Sequence, residues 1–128
     1  MMKDNINPQH YRSQPVECIE ITQYMDFLLG NAFKYVWRHK EKNGSEDLRK
    51  ALWYVNKAKE KREVNIHNVP GGFKNLDRCL FGAVQYQTLR RILIAYENNS
   101  VYGERIQTLD EIELLIKEML DGYGNQKY

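Results

Sequence analysis

Apolar side chains recur along this chain three or four residues apart, and no stretch alternates convincingly in the two-residue period of a half-buried strand. Pro15 suits the start of a first helix that carries Val16 and Ile19 and runs to about Phe27. Gly30 is expected to separate it from a second helix over about 31–41. There Leu29, Phe33, Val36 and Trp37 share one face, while Asn31, Lys34, Tyr35 and Arg38 share the other. Asn43-Gly44 marks a turn, after which Ser45 has the chemistry of an N-cap, with Glu46 and Asp47 near the positive end of the helix dipole. Leu48, Ala51, Leu52, Val55 and Ala58 form the stripe of a third helix expected to reach Arg62. Its other sides carry Arg49, Lys50, Trp53, Tyr54 and Lys57.

Val69-Pro70-Gly71-Gly72 is the clearest connector in the chain. A long fourth helix is expected over about 75–98, stopped by Asn98-Asn99-Ser100. Thr108 with Glu111 three residues on is a capping-box signature that opens a last helix, with Ile112, Leu115, Ile116, Met119 and Leu120 inward and Gly122 closing it. The expected fold is all-α, a compact bundle of about five helices forming one domain over 1–128. Long apolar faces on a short chain also predict a homo-oligomer. Tyr86, Tyr96 and Tyr102 are candidate contacts, the alternative being that they pack within the monomer.

Composition narrows the class. At 128 residues, 42% hydrophobic and 28% charged, the chain has the size and balance of one globular domain. No apolar run approaches the roughly 18 residues that span a membrane, and the N-terminus lacks the apolar segment of a secretion signal. Cys18 and Cys79 read as free thiols of a reducing compartment, so the expected location is cytoplasmic.

Charge adds an asymmetry. The window 34–62 holds ten Lys/Arg against four Asp/Glu, a net +6 in a chain of net +2. Such a stretch is either a solvated helix face or a site for an anion. Lys34 and Arg38 lie one turn apart, where two like charges cost energy unless an anion sits between them. Arginine offers a planar fork to phosphate and lysine a point charge, and Asn31 shares their stripe near the expected helix N-terminus. In Asn7-Pro8-Gln9-His10-Tyr11, His10 is a candidate proton carrier or phosphate contact, and Tyr11 a stacking surface for a base. His39 and His67 have no partner at metal-ligand spacing. Glu17 and Glu20 can share magnesium, or serve only as dipole-favoured acids. No P-loop and no nucleophile elbow occur.

Several blocks together resemble a known family: Asn7-Pro8-x-His10-Tyr11, Ile19-Glu20, Gly30-Asn31-x-x-Lys34-Tyr35-x-x-Arg38 and Lys42-Asn43-Gly44-x-x-Asp47-Leu48-x-Lys50-Ala51-x-Trp53-Tyr54. They are similar to a family of small tailed-phage proteins, catalogued as a domain of unknown function and also called SaV-like, some members of which are described as nucleotide kinases. The resemblance covers roughly residues 7–62; residues 63–128 are outside it, with oligomerisation as one role for them. Arg12-Ser13-Gln14-Pro15 stands where a glycine is expected after the His-Tyr pair.

The resemblance implies a cytoplasmic nucleotide-binding protein, in the host cell if a phage encodes it. As a deoxynucleoside monophosphate kinase without a P-loop, it would use Lys34 and Arg38 on the phosphates and His10 as proton shuttle or orienter. Tyr11, Tyr35 and Trp53 are the candidates for the base, with Asn7, Asn31, Lys50 and Tyr54 completing the binding set. Asp47 and Glu20 are candidates for a sugar or a metal, with magnesium the candidate ion and no certain cofactor. A non-catalytic sponge that sequesters a nucleotide, as an anti-defence protein does, needs the same cations and aromatics but no acid or base. A helix-turn-helix around Gly30 binding nucleic acid is the least favoured reading, since the overall charge is low for it.

Overall fold

In the computed structural model residues 17–61, 68–97 and 102–125 are described, and all regular structure among them is helical. The order is α1 (Ile19–Thr22), α2 (Phe27–Arg38), α3 (Ser45–Lys59), α4 (Gly72–Leu80), α5 (Tyr86–Glu97) and α6 (Tyr102–Asn125). The expected start at Pro15 and the Asn98-Asn99-Ser100 stop lie outside the described residues, whereas α3 ends at Lys59, with Glu60 as its C-cap, short of the expected end at about Arg62.

The first break falls earlier than Gly30. Asp26, in extended conformation, accepts the Leu29 N–H at 2.8 Å and caps α2 from its side chain. The first expected helix therefore shrinks to the single turn α1, and Gly30 is buried inside α2 rather than between helices. One glycine in a helix costs only about 1 kcal/mol, less than the capped start returns together with the packing of Leu29, Phe33, Val36 and Trp37. No helix-turn-helix is centred at Gly30, because Gly30 lies inside α2.

The turn between α2 and α3 closes on Gly44, at φ +55°, where a β-carbon would approach the Tyr123 ring to 3.4 Å. Ser45 is the first helical residue and caps nothing; its Oγ accepts from Arg49 at 3.5 Å. The stripe Leu48, Ala51, Val55 and Ala58 is fully buried, so α2 and α3 form an antiparallel hairpin with their apolar faces inward.

The expected fourth helix is two. Gly82, at φ +87°, turns the chain between α4 and α5, and the Tyr86 N–H closes the turn on Ala83 O at 3.0 Å. Gln85 in this connector donates to Trp37 O at 3.2 Å, tying it to the end of α2. Tyr86 donates its hydroxyl to Asp77, and Tyr96 donates to Tyr24 O at 3.0 Å. Both tyrosines are buried in the monomer, so neither is available to a subunit contact; the side chain of Tyr102 lies outside the described residues.

The last helix begins at Tyr102, well before Thr108, whose hydroxyl instead donates to Glu104 O at 2.9 Å within the helix. Gly122 is likewise internal to α6, which runs on to Asn125. Leu109, Ile112 and Ile116 bury its inner face, against α3 on one side and α5 on the other. Lys59 of α3 bridges Asp110 at 2.7 Å and Glu113 of α6, and Arg91 of α5 bridges Glu111. One continuous cluster of buried apolar residues draws on every helix from α1 to α6.

Candidate functional site

Because α2 and α3 bury opposite apolar faces, their outer faces come together as one surface. Lys34, Tyr35 and Arg38 reach it from α2, and Lys50, Trp53, Tyr54 and Lys57 from α3. The ring of Tyr35 is its centre. Lys34 Nζ lies 4.4 Å from that ring's centroid, Arg38 Cζ 4.8 Å and Lys50 Nζ 5.5 Å. Tyr35 stacks on Tyr54, centroids 5.9 Å apart and planes 15° apart. Tyr54 in turn meets the edges of Phe27 at 5.8 Å and Trp53 at 5.1 Å. Lys57 Nζ is 5.6 Å from the Trp53 ring. Phe27 and Trp53 are 71% and 57% exposed, an open apolar ledge beside the cations.

Three positive groups around one ring repel each other, and the negative face of the ring offsets only part of that. Arg38 has a further partner: its Nε and Nη2 reach Oδ2 and Oδ1 of Asp47, each at 3.3 Å. Asp47 is wholly buried and also accepts the Asn43 N–H at 3.2 Å, so it fixes both the guanidinium and the turn. Lys50 pairs with Glu46 only at 3.8 Å in water, a contact of small value. Among the described residues no carboxylate lies within ion-pair distance of Lys34. A dianionic oxygen cluster at this face would relieve the remaining repulsion.

The other candidates fall differently. Asn31 lies in the second turn of α2, away from free helix N–H groups, and donates to Phe27 O at 2.7 Å. Glu20 uses a carboxylate oxygen to accept the Glu17 N–H at 3.1 Å, the role of a local cap. Asp47 lies beneath the face and acts on it through Arg38. Among the described residues no group of three His, Cys, Asp or Glu has metal-binding proximity. Asn7, His10 and Tyr11 lie outside the described residues. Burial pushes the Cys18 thiol up to about 12, against the pull of nearby Lys34 and Arg38, so it stays protonated and unreactive.

Sequence reasoning missed a second polar feature. His39 is almost wholly buried, and its Nδ1 lies 2.7 Å from the Tyr123 hydroxyl. Burial, helped by Lys40, lowers its pKa from 6.5 to about 4, so the imidazole is neutral at pH 7. The partners are 84 positions apart, and no local pattern announces such a pair. Beside them, between α5 and α6, lies a cavity of about 610 Å³.

Residues 6–56 match a family described as a protein of unknown function (DUF3310). The matched segment ends inside α3 and takes in the whole Tyr35-centred face except Lys57. That defines an uncharacterised domain family over this segment, whose description names neither an activity nor an origin. No curated protein and no solved structure matches the chain. No helix among the described residues is long and apolar enough to cross a membrane.

Proposed function

We propose that the α2–α3 face binds a nucleotide or a closely related phosphorylated small molecule. The observation that carries this reading is the convergence of Lys34, Arg38 and Lys50 on the Tyr35 ring, itself stacked on Tyr54. Phosphate oxygens take the place between the cations, where they offset the repulsion that the ring alone leaves. Arg38 presents its fork in a fixed direction because Asp47 holds it from below, so little rotamer entropy is lost on binding. A base lies on the exposed Trp53 and Phe27 ledge, where stacking contributes about 1–3 kcal/mol. The face, Lys57 apart, also lies within the segment matched by the family model.

The described face supplies binding groups, and its one buried carboxylate, Asp47, is committed to Arg38. Binding without chemistry is therefore the reading that the face supports best. Phosphoryl transfer, implied by the resemblance alone, would need a proton carrier such as His10. In a phage setting, also implied only by the resemblance, binding serves nucleotide supply or the sequestration of a host signal.

The test is calorimetry with thymidine, thymidine monophosphate, the diphosphate and a cyclic dinucleotide, followed by chromatography of the recovered ligand. Phosphorylated forms are expected to bind, thymidine itself much more weakly, and Lys34→Ala/Lys50→Ala to weaken binding by about a hundredfold, two charge-assisted contacts. Diphosphate formed from the monophosphate and ATP with magnesium would add catalysis. Absence of binding by every phosphorylated form would end the proposal.

A further inference from the structure

The cavity between α5 and α6 is separate from the Tyr35-centred face, and nothing above uses it. Its walls are the start of α5 and its connector (Val84, Thr88) and the last turns of α6 (Leu115, Met119), with His39 and Lys40 at the end of α2. At about 610 Å³ it has the size of a small-molecule site.

Its chemistry is selective. Val84, Leu115 and Met119 supply apolar wall. Lys40 and Glu118, both exposed, put one charge of each sign on the lining. A simple anion meets Glu118, a simple cation meets Lys40, and a purely apolar guest leaves both charges without gain. The buried His39 adds no third charge, being neutral at pH 7.

Gly122 is the second observation. It lines the cavity within the right-handed helix α6, where a β-carbon would meet no atom within 4 Å. Gly103 and Gly124 of the same helix also meet nothing within 4 Å, so Gly122 bears on the site through its place on the lining alone. What the missing side chain leaves is space.

We propose that this cavity binds a zwitterionic small molecule with an apolar body, its carboxylate toward Lys40, its ammonium toward Glu118 and its body on Leu115, Met119 and Val84. A hydrophobic α-amino acid is the simplest member of that class. The site is independent of the nucleotide proposal and stands if that one fails.

The experiment is calorimetry of the full chain with L-tryptophan and L-leucine, and with indole-3-propionate and tryptamine, which lack the ammonium and the carboxylate. At least one zwitterion is expected to saturate the protein, with the single-charge analogues of tryptophan about tenfold weaker or more. Glu118→Gln should reduce binding of the ammonium-bearing ligands and spare indole-3-propionate; Lys40→Gln should do the reverse. Gly122→Leu should abolish binding while the melting temperature stays at or above that of the parent. If Gly122→Leu does not fold, the two surface variants decide the matter by themselves. The proposal is overturned if neither zwitterion saturates the protein, if affinity ignores both charge variants, or if a folded Gly122→Leu binds as the parent does.

Discussion

Arg38 and Asp47 meet through two parallel contacts of 3.3 Å, with the carboxylate fully buried and the guanidinium partly exposed beside the Tyr35 ring. The pair couples the interior to the proposed binding face. It also gives the two partners unequal importance, because water can solvate only one of them when the other is removed.

Removing Arg38 should therefore cost more than neutralising Asp47. Arg38→Met leaves a buried carboxylate with only the Asn43 N–H and should lose about 3 kcal/mol. Asp47→Asn keeps the shape and an acceptor for Asn43, and should lose about 1–2 kcal/mol. The double variant should be more stable than Arg38→Met alone. Urea unfolding of the three variants measures this, and the opposite order would contradict the assignment.

His39 sets a pH dependence whose direction follows from its lowered pKa of about 4. Above pH 6.5 the imidazole is neutral folded and unfolded, and its full contribution is present. As pH falls from 6.5 toward 4, the unfolded chain takes up a proton that the folded chain refuses, so stability drops. The loss assigned to this residue is on the order of 2–3 kcal/mol by pH 4. Carboxylates such as Glu113, whose pKa is lowered by its bond from Lys59, lose their own contribution as pH falls further. The measurement is thus a difference: melting curves at pH 7 and pH 4 for the parent and for His39→Gln. The variant should start less stable and fall less steeply.

Two glycines should respond to alanine with opposite signs. Gly82 has φ +87°, so Gly82→Ala strains the backbone and should cost about 1–2 kcal/mol, although no atom lies within 4 Å of the added carbon. Gly122 is helical with open space around it, and Gly122→Ala should stabilise by about 0.5–1 kcal/mol. Chemical denaturation of both variants checks the pair.

The helical class, the inward stripes of α2 and α3 and the shared outer stripe of Lys34, Tyr35 and Arg38 were all legible in the sequence. Each rests on residues three or four apart, a relation that the helix period alone converts into a common face. The helix boundaries were less legible. Gly30 and Gly122 looked like stops, and Thr108 looked like a cap, yet all three are interior. Asp26, Gly82 and the long packed face of α6 decide those ends, because capping and burial outweigh the small cost of a glycine in a helix.

From the sequence alone came local chemistry: which side chains share a helix face, and that cations are concentrated between residues 34 and 62. Only tertiary packing decided which helix faces meet. It set Tyr35 against Tyr54 and Lys50, spent Asp47 on Arg38, and brought His39 to Tyr123 across 84 positions. The reason is physical: periodicity fixes direction around one helix axis, whereas contacts between helices depend on where each helix ends and how the whole apolar surface is buried at once.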